Sequence, residues 1–363
     1  MTAAPAPLPV AGERHREADL HAFCTAALRA AGAEPETAEA ASRAMLHGSR
    51  IGVDSHGVRL LDHYVAVIEG GRVNARPALR FTDGAAAVSS LDADHAHGAR
   101  AAYAAMDRAM EKAALYGMGA VAIRNSSHFG AAGAYALQAA EKGFIGLAFC
   151  NSDSFVRLHG GAERFHGTNP IAMGVPVEGE DPWLLDMATS AIPYNRVLLY
   201  RSLECALPAE VASNQEGHDT TDPHAVDMLA PLGGAFGFKG AALAGVVEIF
   251  SAVLTGARLS FDIAPMGGPD FATPRNVGAF VMALTPGAFL DETDFNAAMT
   301  RYRQTLRASR PAPGDRVMAP GDREWLVAEQ RRREGIPIDP ATAQAFDRLA
   351  ARYGLPRPKP VAG

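Results

Sequence analysis

The sequence predicts an α/β protein with a helical N-terminal part. Apolar residues recur at three-and-four spacing over roughly the first 70 residues, the mark of amphipathic helices. From about residue 80, short β-prone runs alternate with Ala-rich helical stretches. Helical patterning returns after about residue 290 and continues nearly to the end.

Taken in order, residues 14–32 place Leu20, Phe23, Cys24, Ala27 and Leu28 on one helical face, with Gly32 where a C-cap falls. A second helix is expected over about 36–47. A third, over 58–68, aligns Leu61, Tyr64, Val65 and Ile68 and stops at Gly70-Gly71. Strands are expected to end at Leu91, Arg124 and Cys150, separated by helices around 98–116 and 131–142. Residues 158–235 are rich in Gly, Pro, Asn and Asp and read as loops and short strands over a scaffold. A long helix follows from Lys239, then a strand near 278–284 and helices near 291–308, 322–334 and 340–352.

The 363 residues carry 34 Lys and Arg against 40 Asp and Glu, a net charge of −6, which excludes a strongly basic nucleic-acid binder. With 48% hydrophobic and 20% charged residues, the chain has the means to build a core rather than remain disordered. Cys24, Cys150 and Cys205 are too few and too widely spaced for a disulfide framework or a paired zinc site, so a cytoplasmic protein is expected. The first fifteen residues lack the charged start and unbroken apolar run of a secretory signal and read as a floppy tail. No membrane span is expected. The most apolar run, 240–257, is interrupted by Glu248 and reads as a buried helix.

Among possible motifs, Gly117-Met118-Gly119 approaches a dinucleotide fingerprint, but it follows a helix and leads into a strand, the reverse of the Rossmann context. The stretch Gly233 to Gly240 resembles a phosphate loop without being a Walker A, because Phe238 and Ala241 replace the required residues. It still sets Lys239 and unpaired N–H groups at a helix start, which is either an anion site or a solvated helix end. Asp92, Asp94, His95 and His97 have metal-ligand chemistry but sit in a turn, and no metal is expected. No GxSxG elbow exists for a serine hydrolase. Ser55-His56 lies ahead of the third helix, where either residue caps the helix or faces a ligand. His128 follows a strand and precedes a helix, and reads either as an acid/base group titrating near neutrality or as a structural imidazole.

Together these stretches resemble the malate/L-lactate dehydrogenase family of the second, non-Rossmann type. Its relatives include ureidoglycolate and sulfolactate dehydrogenases, diketogulonate reductase and reductases of cyclic imino acids. The matching pieces are Asp54-Ser55-His56-Gly57-Val58 with Tyr64, Arg124 to Gly130, Asn151-Ser152, Gly167 to Pro170, and Asp186 to Ser190. Thr221 to Pro223, Pro231 to Gly234, Gly237 to Gly240 and Pro320 to Asp322 complete the series. The resemblance implies a largely antiparallel sheet wrapped by helices, a non-Rossmann NAD(P)-binding fold and a homodimer. It implies a helical lobe from residues 1–78 with 305–363, and an α/β domain over 79–304 that holds cofactor and substrate.

Residue by residue, His128 matches the family's proton donor and acceptor, and Ser55, His56 and Tyr64 match the group lining substrate and nicotinamide. Ser152, Asp186, Met187, Ala188, Lys239, Gly240, Gly321 and Asp322 match contacts to NAD or NADP. The implied activity interconverts a 2-oxo acid and a 2-hydroxy acid, so the expected partner is a small molecule bearing an α-carboxylate. Three positions depart from the pattern. Leu60 stands where the family often has Arg, with Arg59 one residue early and about 100° around a helix. Arg196 replaces a common Lys, and Ala279 replaces a frequent His. Leu60 favours, as an alternative, a reductase of cyclic imino acids. A non-catalytic dinucleotide sensor is a further alternative, opposed by the joint presence of His128, Ser55 and Tyr64.

Overall fold

A computed structural model describes residues 12–361; the expected tail at residues 1–11 lies outside the described residues. The apolar spacing of the N-terminal part yields α1 (Glu17–Ala30), α2 (Pro35–Arg50) and α3 (Leu61–Glu69). α1 ends where Gly32 takes a left-handed φ of +108°, a conformation that costs a glycine nothing. Two 3₁₀ turns, Asp54–His56 and Val58–Leu60, connect α2 to α3.

The core of this part is closed by the end of the chain. Ile336, Ile338, Phe346 and Leu349 pack among Leu20, Phe23, Leu61 and Val65. Arg14 and His15, expected within the tail, instead form a short strand, β1 (Arg14–His15), antiparallel to β13 (Ile336–Pro337). The proline-rich end is pinned there too, with Val361 N–H donating to the Arg14 carbonyl at 2.7 Å.

The main sheet has seven strands: β2 (Arg80–Asp83), β3 (Val88–Asp92), β4 (Met118–Ser126), β5 (Ile145–Cys150), β8 (Ile171–Val175), β9 (Trp183–Met187) and β12 (Val277–Leu284). Their order is β2-β3-β4-β12-β5-β8-β9, antiparallel throughout except for β3 beside β4. α4 (Gly98–Tyr116) and α5 (Gly133–Ala140) cover one face with alanines and Met106, Met110 and Tyr135. Gly117, at φ +82°, caps α4, and a Cβ on Gly119 would meet the Ala109 carbonyl at 2.1 Å. The near-fingerprint glycines therefore serve helix termination and helix-on-sheet packing.

The other face meets Val247 and Phe250, from α7 (Phe238–Glu248) and the π-type turn Ile249–Val253 that continues it. Residues 240–257 are not the buried helix expected. Gly240, Ala244, Val247, Ser251 and Ala252 face inward, while Ile249 and Val253 are 56% and 64% exposed. Glu248 turns inward because Ser260 donates to it from N–H and hydroxyl, both at 2.6 Å, and Asn169 donates at 2.9 Å.

The segment expected as loops and short strands contains two full strands of the main sheet, β8 and β9, and α6 (Tyr194–Ser202). It also supplies the small sheet formed by β6 (Val156–Arg157), β7 (Arg164–His166), β10 (Ala212–Ser213) and β11 (Met228–Leu229). α8 (Glu292–Arg307), α9 (Asp322–Glu334) and α10 (Pro340–Tyr353) follow the predicted pattern. Among the described residues, no helix is long and apolar enough to cross a membrane.

Candidate active site

β4 delivers His128 just beyond its end, and α3 delivers Tyr64 to meet it. The backbone comes close here because Gly98 opens α4: a Cβ there would meet the Ser127 and His128 carbonyls at 2.4 and 2.6 Å. The Tyr64 hydroxyl lies 2.9 Å from His128 Nδ1. His56, from the first 3₁₀ turn, sets its ring nearly parallel to that of His128, with centroids 5.8 Å apart. Ser55 Oγ lies 2.9 Å from His56 Nδ1, so both polar candidates bond each other and neither caps a helix. The sequence candidates Ser55, His56, Tyr64 and His128 thus form one cluster.

The electrostatics of this cluster favour neutral rings. Burial holds His128 well below the ordinary imidazole value, and positive charge on His56, Arg275, His63 and His97 adds to the effect. Burial likewise lowers His56 and raises the Tyr64 phenol, so Tyr64 stays protonated. No other hydrogen bond reaches His128 among the described residues, which leaves Nε2 for a substrate. For Nε2 to serve as a base, Nδ1 must carry the proton and the Tyr64 oxygen must accept it.

Two neighbours, His63 and Arg275, were not singled out in the sequence, and His97 was weighed there only as a metal-ligand type. His63 lies between Tyr64 and Phe271, with ring centroids 5.9 Å from each, and burial with Arg275 and Arg72 lowers its pKa to about 4. Arg275 is buried, donates to the Ala264 carbonyl at 2.8 Å and pairs with Asp153. The one available signal was Asp153, directly after the Asn151-Ser152 match. His97 meets Tyr64 edge-on at 4.2 Å, and its Nδ1 accepts the Ala99 N–H at the start of α4. Among the described residues no group of His, Cys, Asp and Glu could hold a metal.

Of the cofactor candidates, Asp186 and Met187 lie in β9 and Ala188 directly follows it. Asp186 accepts the Gly133 N–H at 2.8 Å, tying the strand to the start of α5, which follows the loop that carries His128. Burial pushes this carboxyl up to about 6 despite that bond. Ser152 Oγ accepts the Thr168 N–H at 3.2 Å, the Thr168 carbonyl accepts the Thr189 N–H at 2.9 Å, and the Thr189 carbonyl accepts the Leu232 N–H at 2.9 Å. Gly240 lies directly against Leu232, where a Cβ would meet its carbonyl at 2.1 Å. One bonded chain therefore joins Ser152 to Thr189, beside Met187 and Ala188, and to Leu232, against which the start of α7 packs. Lys239 is exposed there beside the first-turn N–H groups that a helix cannot satisfy internally, a cationic site that fits an anionic dinucleotide.

Gly321, at φ +94°, sits at the other end of β9, where Leu184 N–H reaches the Pro320 carbonyl at 3.3 Å. Four residue steps of strand separate the two ends, about 13 Å. The Asp322 side chain is buried and engaged by protein groups. It binds Arg303 and Arg307 and accepts the Ala319 N–H at 2.8 Å.

The family model of malate/L-lactate dehydrogenase matches residues 16–347. The chain belongs to this family. It is 34% identical over 345 residues to a malate dehydrogenase of Pyrococcus abyssi, covering 93% of this chain and 94% of the relative. It is 32% identical over 320 residues to the ureidoglycolate dehydrogenase (NAD(+)) of Escherichia coli, covering 88% and 90%. The crystal structure of malate dehydrogenase from Entamoeba histolytica superposes with a TM-score of 0.90 at 29% identity, covering 96% of this chain and all of that one. The non-Rossmann α/β fold inferred from the motifs is thereby established, and the chain is an oxidoreductase.

Two of the departures have structural readings. Arg59 is exposed and pairs with Asp339 at 3.8 Å, so it does not take over the position that Leu60 vacates. Leu60 packs on the core of the N-terminal helices. Ala279 is buried in β12 opposite Cys150.

Proposed function

We propose that the chain interconverts a 2-oxo acid and a 2-hydroxy acid with NAD or NADP, using His128 as the acid/base. The observation that carries this reading is the Tyr64–His128 bond of 2.9 Å, which orients an otherwise unpaired imidazole beside His56 and Ser55. When bound, the nicotinamide cofactor supplies or accepts the hydride. In reduction, His128 Nε2 gives its proton to the developing alkoxide; in oxidation, it takes the hydroxyl proton. Tyr64 accepts from Nδ1 in both states, which fixes the ring and favours the imidazolium. His56, held by Ser55, orients the substrate oxygen. Ser152, Asp186, Met187, Ala188, Lys239, Gly240 and Gly321 hold the dinucleotide along β9, and Asp322 fixes the start of α9 beside it.

A cyclic imino acid is the second substrate reading, favoured by apolar Leu60 where a carboxylate clamp is otherwise placed. The chain works in the cytoplasm as a homodimer, and the uncovered apolar face of Val246, Ile249, Val253 and Leu254 supports the second copy. The test is consumption of NADH or NADPH with pyruvate, oxaloacetate, a branched 2-oxo acid and a cyclic imino acid. Turnover of a 2-oxo acid supports the first reading, and turnover of the imino acid alone supports the second. No turnover together with no thermal stabilisation by either cofactor refutes both.

A further inference from the structure

The turn carrying Ser55 and His56 is braced on two sides. Towards α2 the bracing is close packing at two glycines: a Cβ on Gly57 would meet Ser49 Oγ at 2.2 Å, and one on Gly48 would meet the His56 carbonyl at 2.7 Å. Ser49 Oγ also accepts the Val58 N–H at 2.9 Å. On the other side the side-chain anchor among the described residues is ionic. Arg331 donates to both carboxylate oxygens of Asp54, at 2.5 and 2.8 Å, and a further N–H goes to the Ser49 carbonyl. The Arg331 side chain is 10% exposed and that of Asp54 31%, so the guanidinium side of the fork is largely shielded from competing water.

Arg331 lies in the last turn of α9, whose first turn is fixed just as firmly at the other end. Asp322 is clamped by Arg303 and Arg307, and Trp325 Nε1 donates to the Pro182 carbonyl at 2.9 Å, directly before β9. Midway, Val327 packs against Gly52, with 3.0 Å from its Cγ1 to where a Cβ would stand. The nine residue steps from Asp322 to Arg331 make a rod of about 14 Å. The rod runs from the strand that carries the cofactor candidates Asp186 and Met187 to the turn that carries Ser55 and His56.

From this geometry we infer that Arg331 is a positioning residue of the active site: through Asp54 it sets Ser55 and His56 against His128, with α9 as the strut that refers their position to β9. The inference rests on the catalytic reading of that cluster. An arginine is required because a planar fork matches both carboxylate oxygens and reaches the Ser49 carbonyl as well, whereas a lysine offers a single point contact. Loss of the fork frees the turn on the β9 side while the close packing on α2 keeps it folded. The expected consequence is misplacement of His56 rather than unfolding.

The test compares Arg331→Met, Arg331→Lys and Asp54→Asn with wild type. The first and third are expected to lower kcat/KM for the oxo acid about tenfold to a hundredfold, the scale of a small misplacement near reacting atoms. Thermal stabilisation by NADH or NADPH is expected to stay as in wild type. Arg331→Lys recovers part of the loss, and Arg331→Met combined with Asp54→Asn is no worse than either alone, because both remove one interaction. A readout that needs no turnover is the imidazole proton–nitrogen NMR correlation of His56. Its single tautomer, held by Ser55, gives way to exchange in Arg331→Met and Asp54→Asn.

Wild-type kinetics with an unaltered His56 signal in folded Arg331→Met overturn the inference, as does a lowered melting temperature with unchanged kcat and KM. If Arg331→Met does not fold, Arg331→Lys and Asp54→Asn carry the same comparison. Failure of wild type to turn over any substrate strikes the catalytic reading instead. The NMR comparison still decides the position of His56.

Discussion

Replacing Tyr64 with Phe removes one hydroxyl and leaves the ring in place against His97, 4.2 Å away. In the free enzyme His128 is neutral, because burial holds it well below 6.5, and the Tyr64 bond at 2.9 Å is then a neutral one. Such a bond contributes about 0.5–1.5 kcal/mol, against about 1.5–3 kcal/mol when one partner is charged. His128 becomes charged on the way through the reaction, so Tyr64→Phe costs the transition state the difference, about 1–1.5 kcal/mol. That corresponds to a loss of kcat/KM of roughly fivefold to fifteenfold. The same difference lowers the His128 pKa by about one unit, since removing an acceptor disfavours the protonated ring. Both directions must fall by the same factor if cofactor affinities are unchanged, because the overall equilibrium is fixed. Steady-state rates in both directions, with melting curves as a folding control, measure this. A folded Tyr64→Phe with wild-type kcat/KM refutes the assignment of Tyr64 as the orienting acceptor.

Four further outcomes follow from the same structure. With His128 neutral near pH 7 and its folded pKa well below 6.5, kcat/KM for oxidation stays on a plateau above 6.5, whereas that for reduction falls tenfold per pH unit; the reverse assignment of flat and sloping limbs contradicts the depressed pKa. His47 and His97 are buried and lowered to about 3 from 6.5, so the unfolded state binds more protons between these values and stability drains as pH falls below 6.5. Each contributes about 1.4 kcal/mol per pH unit, with Asp186 acting in the opposite sense below about 6; His97→Asn, which keeps a helix cap, removes one such contribution from the pH slope of urea midpoints. Glu248→Ala strands two donors of Ser260 and one of Asn169 and lowers stability by about 3–5 kcal/mol, measured by urea unfolding, while Glu248→Gln costs less. If the proposed dimer forms through this face, which is 56% and 64% exposed at Ile249 and Val253, wild type is expected to sediment as a dimer and Ile249→Glu with Val253→Glu as a monomer.

Local signals were legible wherever the chain decides its own conformation. Gly117 ends α4 at the expected residue, and β4, β5 and β12 fall on β-prone runs that neighbouring strands bury. β8 and β9 were legible only as unplaced short strands, because each is five residues long and lies among Gly, Pro and Asp, so their bounds are set by pairing, β8 with β5 and β9 with β8. The exposed side of residues 240–257 was misread because apolar content alone does not say whether the chain's own core or another surface covers a face. In the site, His128 and Ser55-His56 stood out as polar residues at element ends. Arg331, Arg275 and His63 did not, because their roles depend on tertiary neighbours: Arg331 reaches Asp54 across 277 positions and Arg275 reaches Asp153 across 122.

The central claim, that His128 moves the proton in a nicotinamide-dependent reaction, is tested most directly by His128→Ala at saturating reduced cofactor and oxo acid. The account predicts a fall in kcat of about a hundredfold to ten-thousandfold with thermal stabilisation by the cofactor retained. A folded His128→Ala that turns over like wild type would contradict it.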